Sequence, residues 1–326
     1  MTDLQKTLYN HSTPRRKNAV FAACDDKYAF CLYVSLRTLC EYSPMLAQSA
    51  DIWVASYGIC QKHQDILKTI PNLRIFEYQF PGDLQQTPAI KNFTNVSFSR
   101  YELFTLLDLY ENVLYLDSDV LVQKELISVF KQLTNGIGLI VDSTFPTAGG
   151  NFFKAIDGFD MQATGYNSGF IVLNRNGKWL PRVQEIRQFL YKTTLENAPA
   201  LFLPDQGIIN LAVQKFNMQP TALPEAYNCP ASRSRKKLKQ AYIIHSTGPR
   251  KFWCYYYFHD FYKWYKDWIN RGGKAVSIRP KNSKMHQSFL TLFGLQNSVF
   301  FQLCPDLFAK PTKALRFAIM KWLDFR

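Results

Sequence analysis

The feature that most constrains this chain is an alternation of short apolar runs with helix-spaced segments over its first 116 residues. Asn18 to Ala23, Asp51 to Ser56, Leu73 to Gln79 and Val113 to Leu116 read as short buried strands. Between them, Tyr28 to Tyr42, stopped by Ser43-Pro44, then Gln61 to Thr69 and Phe98 to Tyr110, carry helical spacing. A βαβ series of this kind predicts an α/β fold, a Rossmann-like layer with a mostly parallel sheet covered on both faces. Ligands of such sheets sit at the carboxyl ends of the strands. No G-x-G-x-x-G follows the first strand, which argues against a dinucleotide cofactor.

The strand end that carries chemistry is Val113-Leu-Tyr-Leu-Asp117-Ser118-Asp119-Val-Leu-Val122. Alternate residues of an extended chain point the same way, so Asp117 and Asp119 can converge on one divalent cation. A strand-end turn capped by Asp and Ser fits the same tripeptide, and these residues alone leave both readings open.

Three further segments follow: Gly165-Tyr-Asn-Ser-Gly-Phe-Ile-Val-Leu-Asn174, Pro204-Asp-Gln-Gly-Ile-Ile-Asn210 and Ile243-Ile-His-Ser-Thr-Gly-Pro-Arg-Lys-Phe-Trp253. In this order, over roughly Asn18 to Trp253, the set resembles the family 8 retaining glycosyltransferases, which include glycogenin and bacterial lipopolysaccharide galactosyl- and glucosyltransferases. The resemblance implies a GT-A fold, a UDP-hexose donor, a Mn2+ (or Mg2+) ion and transfer with retention of configuration. It assigns Asp117, Asp119 and His245 to the metal, and a mixed oxygen and imidazole set suits manganese better than calcium. To the donor it assigns Asp25, Lys27 and Tyr28 around the uridine, where Lys27 replaces a common Asn. Arg100, Ser118, Asn167, Gly169, Gly248 and Lys251 complete that list, Lys251 beside the diphosphate. To catalysis it assigns Asp205 and Gln206. The next position, acidic in the lipopolysaccharide galactosyltransferases, is Gly207, so a covalent route through that carboxylate is closed; the implied retention, from an α-linked donor, makes an α-linked product the expectation.

The formal charge of +14 is distributed unevenly. Residues 1–232 carry 20 Lys/Arg against 21 Asp/Glu, and residues 233–326 carry 19 against 4. The C-terminal excess is interleaved with rings: Tyr255, Tyr256, Tyr257, Phe258, Phe261, Tyr262, Trp264, Tyr265 and Trp268 lie among Lys263, Lys266 and Arg271. Such a palette fits the headgroup level of an anionic bilayer, with some rings packing as core. Pro311 to Arg326 would place Leu315, Ala318, Ile319, Trp322 and Phe325 on one helical face. No nucleic-acid module accompanies the charge, so nucleic acid is not expected as a partner. The run Arg233 to Lys239 reads as a loop over the active site or a lipid contact.

Seven cysteines show no C-x-x-C pair and read as reduced thiols. Residues 1–17 are polar with no apolar signal region, and nowhere does an uncharged apolar run reach a spanning length of about 18. The expected organisation is a polar arm at 1–17, a GT-A catalytic domain at 18–254 and a basic, aromatic, helical membrane-associating extension at 255–326. The expected location is cytoplasmic, peripheral on the inner face of the membrane. The expected function is hexose transfer from a UDP-sugar to a glycan hydroxyl, lipid-linked, in cell-surface glycan synthesis. Two alternatives stay open: a glycogenin-like self-glucosylating primer, and a non-catalytic sugar-nucleotide or polyanion-binding protein.

Overall fold

The computed structural model describes residues 16–84, 95–247 and 259–275. Strand β1 (Asn18–Asp25) leads through a single 3-10 turn into helix α1 (Ala29–Tyr42) and the short α2 (Pro44–Ser49). There follow β2 (Ala50–Tyr57), α3 (Gln61–Leu67) and β3 (Leu73–Glu77). Next come a 3-10 segment (Asn95–Glu102), a single turn α4 (Leu103–Leu106), β4 (Asn112–Leu116) and β5 (Val120–Val122). The second half adds β6 (Ile137–Val141), β7 (Tyr166–Asn174), α5 (Val183–Glu196), α6 (Pro204–Lys215), β8 (Thr221–Ala222) and β9 (Cys229–Pro230). It continues with α7 (Arg235–Gln240), β10 (Ile243–His245) and α8 (His259–Asn270).

The main sheet runs β3-β2-β1-β4-β7-β6-β8. Only β7 opposes its neighbours, so the sheet is mixed but mostly parallel. Alternation divides each central strand between two cores: Val20, Ala22 and Cys24 face α1, while Ala19, Phe21 and Ala23 face the rings of the opposite layer. A small second sheet, β5-β10-β9, begins where β4 ends. The chain thus leaves the main sheet at Leu116, turns through Asp117-Ser118-Asp119 and enters a new sheet at Val120.

Helix α1 fastens that turn. Ser35, fully buried, donates to the Ser118 carbonyl at 2.7 Å and accepts the Val120 N–H at 3.2 Å. Thr38, one turn further on, accepts the Val122 N–H at 3.1 Å. Glu125 holds the chain beyond it, accepting from Ser43 Oγ and from the backbone N–H groups of Met45, Leu126 and Ile127.

One expectation shifts. The segment expected to be a helix over Phe98 to Tyr110 is 3-10 through Glu102, with only Leu103–Leu106 α-helical. Val96 and Phe98 to Glu102 are all buried there, and the Arg100 Nε donates to the Ser97 carbonyl at 2.9 Å, so packing and side-chain bonding override helical periodicity. At the other end, Phe261, Tyr265 and Trp268 of α8 are buried in the same core as α1. Their spacing puts them on one helical face. Tyr33 of α1 donates to Asp267, and Trp264 Nε1 donates to Glu41 at 2.9 Å. These rings pack on the catalytic layer past residue 254, and the outward face of α8 keeps Tyr262, Lys263 and Lys266. Among the described residues no helix is long and apolar enough to cross a membrane.

Candidate active site

A cavity of about 830 Å³ opens at the carboxyl ends of β1 and β4. Asp117, Asp119 and His245 meet in its wall: His245 Nε2 lies 3.4 Å from Asp117 Oδ2 and 3.2 Å from Asp119 Oδ1. Two features of the fold bring them together. The β4–β5 turn presents both carboxylates, and β10 pairs antiparallel with β5 so that His245 sits opposite Val120. The Ser246 N–H then donates to the Asp119 carbonyl at 3.0 Å, locking the two segments.

His245 and Asp117 are each oriented by a second contact. Asn228 Oδ1 lies 2.7 Å from His245 Nδ1. An amide oxygen can only accept, so Nδ1 carries a proton and Nε2 is the ring nitrogen turned toward the carboxylates. Tyr115 Oη donates to Asp117 Oδ1 at 2.8 Å and Arg100 Nη2 at 3.1 Å, which leaves Oδ2 on the His245 side. Gly169 lies against the set, and a Cβ there would come within 2.5 Å of His245 Cε1 and 2.7 Å of Asp117 Oδ2. Two carboxylates and one imidazole whose donor atoms lie within 4.8 Å of one another suit a divalent transition metal. The residues fit the ion.

The other expected residues separate into lining and scaffold. Asp25 and Tyr28 line the cavity, brought to one side by a 3-10 turn in which Asp25 Oδ1 accepts the Tyr28 N–H at 2.9 Å. Lys27, between them, is exposed and does not line the cavity. Ser118, Asn167 and Gly169 also line it. Gly248 and Lys251 lie outside the described residues.

Arg100 lies at the cavity wall but is 7% exposed and heavily committed. Besides Ser97 and Asp117, it reaches the Ser168 carbonyl at 2.8 Å and Asp205 Oδ2 at 2.9 Å, and it stacks over Tyr115 at 4.7 Å. In this arrangement its side chain ties Asp117, Ser168 and Asp205 together in the cavity wall. Burial penalises its guanidinium, but Asp205, Tyr115 and Asp117 outweigh that and hold it charged. Burial lifts the Asp205 carboxyl above its ordinary range against the pull of Arg100 and Ser168. The 2.9 Å contact joins the two groups in a buried pair. Asp205 Oδ2 also accepts from Ser168 Oγ at 2.8 Å.

Gln206 is the better-placed member of the Asp-Gln pair. Its Nε2 donates to Asp142 Oδ2 at 3.0 Å and to Asn151 Oδ1 at 2.8 Å, while its Oε1 accepts the Ser168 N–H at 3.1 Å. Both amide hydrogens are used, so the orientation is fixed and Oε1 retains one lone pair. Asp142 Oδ2 also accepts from Asn167 Nδ2 at 3.0 Å, and Asn167 Oδ1 accepts from Asn228 Nδ2 at 2.7 Å. One chain of hydrogen bonds therefore runs from His245 through Asn228, Asn167 and Asp142 to Gln206 and Asn151. A connected, satisfied network of this kind holds its members in one arrangement.

Asp142, Asn151 and Asn228 are the residues that sequence reasoning missed. Asp142 follows the apolar strand β6 as Asp117 follows β4, so the strand-end rule would have found it. Asn151 and Asn228 sit in irregular segments without a comparable signal. Ser97 Oγ, buried in a residue that lines the cavity, has no hydrogen-bond partner among the described residues.

Comparison with known proteins agrees with this architecture. No curated protein matches the chain in sequence. Among solved structures, the apo form of WbbM, a bifunctional glycosyltransferase, aligns with a TM-score of 0.58 at 16% identity over 79% of this chain. The chain spans about half of that protein, 51% of its length. The galactosyltransferase LgtC, solved with donor and acceptor sugar analogs, aligns at 0.55 with 17% identity, over 78% of this chain and 99% of its own. At these identities the likeness is one of fold, a GT-A α/β layer. The model of glycosyl transferase family 8 matches residues 19–256, and the chain accordingly belongs to that family.

Proposed function

We propose that the protein transfers a hexose from a UDP-sugar to a hydroxyl of a glycan, with retention of configuration and dependence on a divalent metal. The observation that carries the reading is the Asp117, Asp119 and His245 set facing a cavity whose wall also carries Asp25 and Tyr28. That pairing suits a nucleoside diphosphate sugar: an acidic group and an aromatic ring for the base, a cation site for the diphosphate. When bound at Asp117 Oδ2, Asp119 and His245 Nε2, Mn2+ or Mg2+ would neutralise the charge of the diphosphate leaving group.

The chain's own residues supply the rest. Gln206, fixed through Asp142 and Asn151, would orient the hexose and direct its free Oε1 lone pair at the positive charge developing on the anomeric carbon. Asp205 acts as a positioning residue through Arg100 and Ser168. No carboxylate stands at position 207, so attack on the face the diphosphate leaves, with the departing phosphate taking the acceptor's proton, accounts for retention without a covalent intermediate.

The acceptor is proposed to be lipid-linked, and the enzyme to sit peripherally on the inner, cytoplasmic face of a membrane in cell-surface glycan synthesis. The basic excess of residues 233–326 supports this. Incubation with UDP-glucose, UDP-galactose and their N-acetyl forms in Mn2+ tests the donor reading: metal-dependent release of UDP from one hexose donor supports it, and no release from any of them opposes it. Deleting residues 311–326 should reduce co-sedimentation with anionic vesicles; retention equal to the full chain would remove the tail as anchor.

A further inference from the structure

A second group of ligand-type side chains lies outside the cavity, which none of its members lines: Asp26, Cys60 and His63. Asp26 begins the 3-10 turn after β1, and Cys60 and His63 stand at the start of α3 in a Cys-x-x-His pattern. One thiol, one imidazole and one carboxylate atom of the three lie within 4.8 Å of one another. The carboxylate is the meeting point. His63 Nδ1 lies 2.7 Å from Asp26 Oδ1, and the Cys60 N–H donates to the same oxygen at 2.9 Å. Burial opposes ionisation of Asp26, yet hydrogen bonds from the Cys60 N–H and thiol and from His63 hold its carboxyl below the ordinary range. His63 is buried, with its ring 4.8 Å from that of Trp268, while Cys60 is exposed. The group therefore has a packed floor and an open side.

On its other nitrogen, Nε2, His63 accepts the Lys274 N–H at 3.2 Å. A backbone N–H can only donate, which puts the imidazole proton on Nδ1, facing Asp26. Two exchangeable protons, one on sulfur and one on nitrogen, are thus directed at a single carboxylate. A divalent ion can take their place, because a thiolate and a carboxylate balance its charge and a neutral imidazole adds a third ligand.

We infer that Asp26, Cys60 and His63 form a second metal site, one that takes Zn2+. Thiolate with imidazole selects zinc over the harder Mn2+ and Mg2+. Ligand atoms around a tetrahedral zinc stand roughly 3.3 to 3.6 Å apart, so Asp26 and His63, now 2.7 Å apart, separate by about 0.6 Å and the exposed Cys60 side chain closes in. Binding releases one proton: the thiol proton goes to solvent, and the imidazole proton passes through solvent from Nδ1 to Nε2. Nε2–H and the Lys274 N–H are then two donors face to face, so that contact breaks. The site stands apart from the sugar-transfer reading. Its ion would fasten to α3 the turn that carries Asp25 and Tyr28.

The test uses the full chain, with Co2+ as a spectroscopic stand-in for Zn2+. The Asp117, Asp119 and His245 set contains no sulfur, so a thiolate-to-cobalt absorption band in the near ultraviolet reports the Cys60 site alone. Wild type should show that band, and Zn2+ but not Mn2+ should displace it. Cys60→Ser, at an exposed position that spares the fold, should abolish the band and lower Zn2+ affinity roughly 100-fold or more, past the roughly 10- to 100-fold of a lost orienting contact. Asp119→Ala should keep the band. Zn2+ should also slow alkylation of Cys60 roughly 10-fold or more and speed amide exchange at Lys274. A wild type without the band, a band that survives Cys60→Ser, or Cys60 alkylated equally fast with and without Zn2+ would overturn the site. So would Lys274 exchange that Zn2+ leaves unaltered, since His63 Nδ1 would then not be a ligand.

Discussion

A methyl group at position 169 should perturb the proposed metal set of Asp117, Asp119 and His245 without removing any of its side chains. In the structure its carbon would lie 2.5 Å from His245 Cε1, 2.7 Å from Asp117 Oδ2 and 2.9 Å from His245 Nδ1. Relaxed contacts between such atoms are about 3.5 Å, so His245 or Asp117 must retreat by roughly 1 Å. Neither side chain is free to do so cheaply: His245 is 5% exposed and bonded to Asn228, and Asp117 is held by Tyr115 and Arg100. Metal–ligand distances tolerate deviations of only about 0.2 Å, so Gly169→Ala should lose one ligand's contribution. Disturbing the orientation of a ligand typically costs roughly 10- to 100-fold in affinity, or about 1.4 to 2.8 kcal/mol. Titration of Mn2+ followed by the electron paramagnetic resonance of the free ion measures this directly, with thermal unfolding in chelator as the check on folding. If the variant folds and binds Mn2+ within twofold of wild type, the argument that these three residues form one compact metal site is wrong.

Asn228→Ala should weaken Mn2+ by roughly 10-fold or more, because His245 then loses the partner that fixes its tautomer, and the same resonance titration reads it. Trp268→Ala should cost about 3 to 5 kcal/mol in denaturant unfolding, since that ring is 1% exposed and packs on Tyr33 and His63; a cost below about 1 kcal/mol would mean that α8 is not part of the catalytic core. Glu125 is opposed by burial, yet hydrogen bonds from Ser43 and three backbone N–H groups hold its carboxyl below the ordinary value of 4.5. Its stabilising contribution is therefore present above that value and lost as pH falls through the lower, folded one. Glu125→Gln should destabilise by about 1 to 2 kcal/mol at pH 7, with the difference from wild type shrinking as the pH drops below about 4; a difference independent of pH would contradict the assignment.

The fold was legible because burial on both faces of a parallel sheet leaves an apolar signature, and β1, β2, β3 and β4 fall within about two residues of where periodicity places them. Asp117, Asp119 and His245 were legible from motif order, and the structure brings them together across 128 residues of sequence. What periodicity could not convey was tertiary bonding. Arg100 lines the cavity as expected, but its bonds to Asp205, Ser168 and Asp117 have no local signature. Lys27 follows the right strand, and the pitch of one 3-10 turn directs it outward. The aromatic run after residue 254 was expected to divide between interface and core, and composition could not say which rings go where: Phe261, Tyr265 and Trp268 are core. Asn151 and Asn228 act only through their partners, which no local pattern announces.

The claim on which the rest depends is that Asp117, Asp119 and His245 hold a metal that in turn holds a nucleoside diphosphate. Calorimetric titration of UDP into wild-type protein and into Asp119→Ala, each in Mn2+ and in excess chelator, tests it in one experiment. The account predicts that the wild type binds UDP at least 10-fold more tightly in Mn2+ than in chelator, and that Asp119→Ala loses that difference while keeping its fold. UDP affinity that is the same in all four titrations would contradict it.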